Sequence, residues 1–484
     1  VNVSAGMFTN CSAPLVGGAK TQWKSANPTD KTYAHIDGGA GNPGYLTAKD
    51  GVNITFDANL GGGSLATGVT APGLLTVGKN TGGMRDIVSA HAYASPWAIG
   101  SKAVRTGYFF DGWYDSRTSQ LVAPGQFPDS FGSDTTYVAR WTAAWGDSAT
   151  WKIVQETVGG QAGNTLVLGA YNTSTKTGVG GSITTAANAP WYNQRGSINA
   201  VRVEAGHSIS MPTGAQLAGM FDGYGALRNV NLSNLDTANV TNMERMFASC
   251  GNLTTLTIGG LKTGLVTNMS RMFQGCTSLD NPNLAGFDTT KLKYARGMFQ
   301  GCTSLATISL ASFDKGALTD TREMFKGCTG LNKPTLTNFN TAAVTHMDEM
   351  FDGCTAMVEL DLSSFNTAKA TQATYMFRND AALTKIFVST SWSNAGLLGS
   401  GGIGMFQDCS TKLVGGANTV WSSANVSGSF ARIDGGTSAP GYLTLKDGVR
   451  ITFAVGDGVT LNSGVSAPAM LSVASGATVN VGAH

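Results

Sequence analysis

Cysteines are the residues through which this sequence could most readily do chemistry. All seven (Cys11, Cys250, Cys276, Cys302, Cys328, Cys354 and Cys409) stand four residues after a methionine. A thiol can be a nucleophile, a zinc ligand or half of a disulfide, and each use leaves its own spacing. Disulfide frameworks show paired, varied spacings and zinc sites show C-x-x-C pairs. Neither pattern occurs. From Cys250 to Cys354 the interval is a constant 26 residues. One slot is being repeated, and the expected occupant is a small, buried, apolar side chain. Tyr224 and Asp380 fill the slot at the two ends of the array. Cross-unit disulfides and a reactive thiol stay open as alternatives.

Other candidates are sparse. The five histidines, His35, His91, His207, His346 and His484, are scattered. His346 aligns with Asn242 and Asn268, a replacement that suits neither a metal ligand nor a general base. "GAGNPG" at 39–44 matches G-x-G-x-x-G, but Pro43 spoils a helix start and the sister stretch "GTSAPG" loses the middle glycine, so a turn is expected. Asp37 and Asp434 recur in "IDGG", which reads as a turn with a calcium role as the alternative. No nucleophile elbow, zincin or Walker motif is present. No catalytic, cofactor-binding or metal residue is assigned.

The elements that place the cysteines follow from a longer pattern. Met-Phe recurs without slippage at Met220-Phe221, Met246-Phe247, Met272-Phe273, Met298-Phe299, Met324-Phe325, Met350-Phe351 and Met376-Phe377. Strict self-similarity of this kind marks a solenoid whose units bury their apolar faces against each other. Apolar positions seven, ten and twelve residues after each Met, such as Leu227, Val230 and Leu232, predict a short half-buried strand. Val240, Met243 and Met246-Phe247 then lie three to four apart, which predicts a helix of about two turns. Thr241 with Glu244 reads as its capping box, and the glycines before the cysteines as its left-handed C-terminus. The expected fold is an α/β solenoid of 26-residue, leucine-rich-repeat-like strand-helix units, with β-rich caps and a small all-β spacer module.

Composition limits the partners. Charged residues make up only 13% of the chain and the net charge is +2, so no phosphate-binding surface is expected and nucleic acid is excluded as a partner. No apolar run is long enough to span a membrane.

The unit M-F-x-G-C-x-x-L-x-x-L-x-L-x-x-F-D-T-x-x-V-T-x-M resembles the leucine-rich-repeat variant of BspA-type bacterial surface proteins over residues 200–391. That resemblance implies an extracellular solenoid with strands on its concave side and no catalysis. "GYFFDGWYDSR" and "TTYVARWT", within 54–142, are similar to the internalin-type B-repeat, a small β-rich spacer with Tyr108, Phe110, Trp113, Tyr137 and Trp141 as its core. "KNTGGMRDIVSAHAYASPW" (79–97) is an insertion against that pattern. The closing segment of the array occurs twice, with Asp37 and Asp434 standing 397 residues apart, so the chain reads as an excerpt of tandem superunits. The expected organisation is 1–50, tail and closing cap of a preceding array; 51–143, B-repeat-like module; 144–212, opening cap; 213–391, solenoid; 392–447, closing cap; 448–484, start of the next module.

Three roles then compete. One is a non-catalytic structural stalk, filament or sheath of a bacterial surface, built by self-association or head-to-tail copies and doubling as an adhesion scaffold. The second is an adhesin for a host or cell-surface protein or glycan. The third, a surface hydrolase, has no set of catalytic residues behind it. The outward strand positions are mostly Asn, Thr and Ser, which reads as a bland sheet or a weak multivalent surface. Its most differentiated patch, and so the candidate ligand face, is Lys333, Glu359, Asp361, Lys385 and Phe387.

Overall fold

The computed structural model describes residues 51–172, 174–315, 317–451 and 471–474. They fall into two compact units divided between Ala144 and Trp145. Cys11, Asp37 and the whole 1–50 segment lie outside the described residues, as does most of 452–484.

In the first unit, strand Gly51–Asp57 pairs antiparallel with Leu75–Gly78 and parallel with Thr135–Trp145. Tyr108–Asp115 pairs antiparallel with Thr135–Trp145 on its other edge. Phe110, Trp113 and Tyr137 are fully buried and Trp141 packs at the margin of their cluster, whereas Tyr108, expected in that core, stays half-buried with the Arg105 guanidinium over its ring at 3.9 Å. The unit is not all-β, however. The insertion folds into a helix, Met84–Ala92, which buries Val88 and Ala92. The Ala92 carbonyl accepts the indole N–H of Trp113 at 2.8 Å, and Trp97 stacks on Trp113 at 5.0 Å. The insertion thus supplies part of the core.

The second unit opens with an antiparallel hairpin, Ala149–Val158 and Gln161–Ala170. Ile198–Val203 lies parallel to its second strand, followed by Asn229–Asn231 and Thr255–Thr257, also parallel. From there the chain forms stacked coils, numbered one to seven by Met220, Met246, Met272, Met298, Met324, Met350 and Met376. Single parallel bridges join Asn242, Asn268, Tyr294, Asp320, His346 and Gln372 in sequence, each one coil on.

The predicted helices are absent from these coils. Met243, Arg245, Phe247 and Ser249 donate their N–H groups to carbonyls of the next coil (Asn268, Ser270, Met272 and Gln274). Between them, Met246 and Ala248 donate three residues back, to Met243 and Arg245. Half the donors are therefore spent between coils, and no α-helical i→i−4 series can form. The residue before each Met is left-handed, including Arg245 (φ 55°), Arg271 (56°), Glu323 (57°), Glu349 (55°) and Tyr375 (57°). A second left-handed residue precedes each cysteine slot, usually glycine but Ser249 in coil two and Asn379 in coil seven. Two such residues per coil make a run of tight turns. Thr241 caps nothing: its hydroxyl donates to the Ala215 carbonyl of the preceding coil at 3.3 Å.

Inside, the rings of Phe221, Phe247, Phe273, Phe299, Phe325, Phe351, Phe377 and Phe406 stack in one column, with centroids 5.4–6.0 Å apart and interplanar angles of 2–24°. Trp191 closes the column at one end and Tyr442 at the other. A second ladder is polar. Thr237, Thr263, Thr341 and Thr367 are buried and donate hydroxyl hydrogens to carbonyls of the next coil, at Lys262, Asp288, Asn366 and Ser393. On the outer side, ion pairs such as Arg378–Asp352 (2.6 Å) and Arg296–Glu323 (2.6 Å) tie adjacent coils.

The strand ladder is interrupted. Strands form at Asn229–Asn231, Thr255–Thr257, Glu359–Leu362 and Lys385–Val388, whereas 281–283, 307–309 and 333–335, expected as strand, form at most the Ser309–Thr335 bridge. Between coils three and four and between coils five and six, the cause lies at the position held by Val230 in coil one. Leu232 donates to the Thr257 carbonyl of the next coil, and the two-residue alternation of a parallel ladder makes Val230 the preceding donor. In coils three and five that position is Pro282 and Pro334, which have no N–H to give.

Candidate functional site

The thiols belong to the core. Cys250, Cys276, Cys302, Cys328, Cys354 and Cys409 are all free and buried. Each S–H donates to the carbonyl of a ladder Phe one coil back: Cys250 to Phe221, Cys276 to Phe247, Cys302 to Phe273, Cys328 to Phe299, Cys354 to Phe325 and Cys409 to Phe377, at 2.8–3.2 Å. Burial pushes Cys276 and Cys328 up to about 12 and the other four well above the ordinary 9.0. A nucleophile needs the opposite shift and a path to solvent. Space-filling explains the slot only in part, because the thiol is also a second donor to a Phe carbonyl that already accepts a backbone N–H of its own coil, as Phe273 does from Cys276. Aromatic-disulfide reagents are therefore expected to leave these six thiols unmodified in the native chain and to react with them in denaturant; fast labelling of most of them without denaturant would contradict the assignment.

Asp434 is structural too. Its carboxylate is buried and accepts from the N–H groups of Ala417 (2.7 Å), Thr419 (2.9 Å) and Gly436 (2.9 Å) and from the Thr419 hydroxyl (2.6 Å). Four donors pin the closing segment and occupy the oxygens a calcium ion would need. Its sister Asp37 lies outside the described residues. Among the described residues no group of three or more His, Cys, Asp or Glu is arranged to hold a metal, and no helix is long and apolar enough to cross a membrane.

Among the cavities of the described residues, one of about 470 Å³ lies on the strand face between coils five and six. It forms where Pro334 interrupts the ladder: among the described residues, no backbone hydrogen bond joins 333–337 to 358–362. Four of the five sequence candidates, Lys333, Glu359, Asp361 and Phe387, line it. Lys385 does not, although it stands beside Glu359 on the neighbouring strand. Asp361 and Phe387 are register partners, so the acid and the ring share one face.

Sequence reasoning missed Lys446. Strand Leu443–Leu445 of the closing segment pairs parallel with Lys385–Val388 and delivers Lys446 to the far rim. Its ammonium donates to Asp361 across 85 residues of sequence, and to Ser363. Burial pushes the Asp361 carboxyl up, but the hydrogen bonds from Lys446 and Ser363 with the lysine's charge outweigh it and hold the group below its ordinary value. The same contact raises Lys446. Both side chains are more than two-fifths exposed, so the pair positions groups more than it stabilises the fold. One sequence signal was available, since both copies of the closing segment carry lysine here, Lys49 and Lys446.

Comparison with known proteins bears on the stack. Residues 215–309 and 305–411 match the family described as Mycoplasma protein of unknown function, DUF285. The coils are what matches. A leucine-rich-repeat protein from T. pallidum is similar at 18% identity, with 43% of this chain and 78% of that chain covered and a TM-score of 0.24. Another, from Eubacterium ventriosum ATCC 27560, is 13% identical, with 54% and 95% covered and a TM-score of 0.17. No curated protein matches this chain.

Proposed function

We propose that this chain is a non-catalytic, leucine-rich-repeat-like protein of a bacterial surface, in which the solenoid is a structural scaffold that also presents an adhesive face. One observation supports this above the others: the residues best equipped for chemistry, the repeated thiols, are locked into the packing of successive coils by the Phe carbonyls. Repetition here maintains a stack. The side chains that vary from coil to coil, Lys333, Glu359, Asp361 and Phe387, gather instead at one open cavity. Tandem copies, which the recurrence of the closing segment suggests, would multiply that face, and weak sites in series bind by avidity.

A matching register supports the internal copy. Gly51 opposes Gly78 in the first module, and Gly448 opposes Ala474 in the corresponding strands after the solenoid. The proposal is tested by antibodies against the full chain applied to intact and lysed cells of the source bacterium, with protease treatment of intact cells alongside. Labelling of intact cells that protease removes is expected. Signal only after lysis would exclude the surface role.

A further inference from the structure

We propose that the cavity between coils five and six is a binding site for a neutral, pyranose-bearing oligosaccharide. This deepens the adhesive reading and rests on it. The first ground is shape: a half-open hollow of about 470 Å³ lies within the range typical of small-ligand sites, and it exists because Pro334 unpairs one stretch of ladder. The second is the wall. Phe387 is half-buried, so one aromatic surface is presented without being sealed in the core. A pyranose ring carries an apolar C–H face, and a single partly exposed aromatic flanked by polar groups is complementary to it.

The polar groups are the third ground. Glu359 and Asp361 offer acceptors, Lys333 and Lys446 offer donors, with Lys446 already paired to Asp361, and Asn338 can do both. Sugar hydroxyls both donate and accept, so a mixed rim suits them. Two acids set against two lysines leave little net charge, which disfavours a polyanion or a polycation. An extended peptide fits less well. Coils five and six remain joined below the break, where the Ser364 hydroxyl donates to the Leu336 carbonyl at 2.7 Å, so no gap is wide enough for an added strand. The ligand lies on the face. Lys446 gives the site a further property: it is complete only when the closing segment has docked as a parallel strand.

The test uses the full chain, labelled at its N-terminus, on an array of neutral and acidic oligosaccharides and a parallel peptide array, followed by calorimetry with the best neutral oligosaccharide. Binding to neutral glycans is expected, with Phe387→Ala and Glu359→Gln each weakening it about tenfold and Phe387→Tyr retaining it. Melting curves for each variant separate loss of the site from loss of the fold, and the two conservative variants keep the test valid if Phe387→Ala does not fold. No neutral ligand, binding confined to acidic glycans or to peptides, or affinities unmoved by Glu359→Gln and Phe387→Ala in folded protein would overturn the assignment. Any of these results leaves the surface-scaffold reading standing, since cell labelling decides that separately.

Discussion

Replacing Phe299 with alanine is expected to remove about 3–5 kcal/mol from the stability of the stack, as for other buried phenylalanines. The ring is fully buried in coil four, stacked on Phe273 at 5.5 Å and 14° and on Phe325 at 5.5 Å and 5°. Its removal opens a void that neither neighbour can fill, because each is held by its own coil's turns and by the next ring. The Phe299 carbonyl also accepts the Cys328 thiol at 3.0 Å, so a local shift strains the adjacent slot. Coils contact chiefly their nearest neighbours, so the damage should appear first at Cys302 and Cys328 and fade toward the ends. Urea titration read by pulsed thiol labelling, in a Cys11→Ser background, isolates the stack, because every described cysteine lies in it. An unchanged midpoint would contradict the ladder's role.

That column was legible because identical residues at a constant interval can share only one environment. The turns were not. Apolar residues three and four apart fit a helical stripe, and they fit equally a succession of three-residue turns. Only the partners of the N–H groups distinguish the two, and those partners lie one coil away in a chain segment that local spacing does not report. Arg245 and Glu349 show the same limit, since nothing in either residue type announces a positive φ. The threonine ladder hid in plain sight: a polar residue in an apolar repeat reads as surface until its acceptor is known. Pro282 and Pro334 could have been read, because a residue without an N–H cannot continue a ladder. The cavity follows from the second of them. Lys446 could be noticed as a lysine present in both copies of the closing segment but not placed at the cavity, as it enters only when a strand from beyond the solenoid joins the sheet.

Asp380 supports the second large prediction. It holds the cysteine slot in coil seven and is completely buried. One carboxyl oxygen accepts the Cys354 N–H at 2.9 Å, and among the described residues the other has no partner. The titratable groups facing it are Asp352, Cys354 and Cys409, and none supplies positive charge. Burial therefore raises Asp380 far above its ordinary 3.8, with Asp352 adding to the shift. An acid whose folded value is raised lends its full stability only below the unfolded value. From there upward the unfolded chain releases a proton that the folded chain keeps, and stability falls until the folded value is passed. Asp380→Cys would continue the thiol ladder and remove the orphaned oxygen. The variant is expected to gain about 1–3 kcal/mol at neutral pH and to flatten the decline that sets in as the pH rises through the unfolded carboxyl value of about 3.9. Well below about pH 3.9, where the carboxyl is protonated in the folded and the unfolded chain alike, its advantage should shrink to the hydrogen-bonding difference alone. Urea midpoints of the two proteins across that range decide the matter, and parallel curves would mean that the buried carboxyl does not set the pH dependence of the stack.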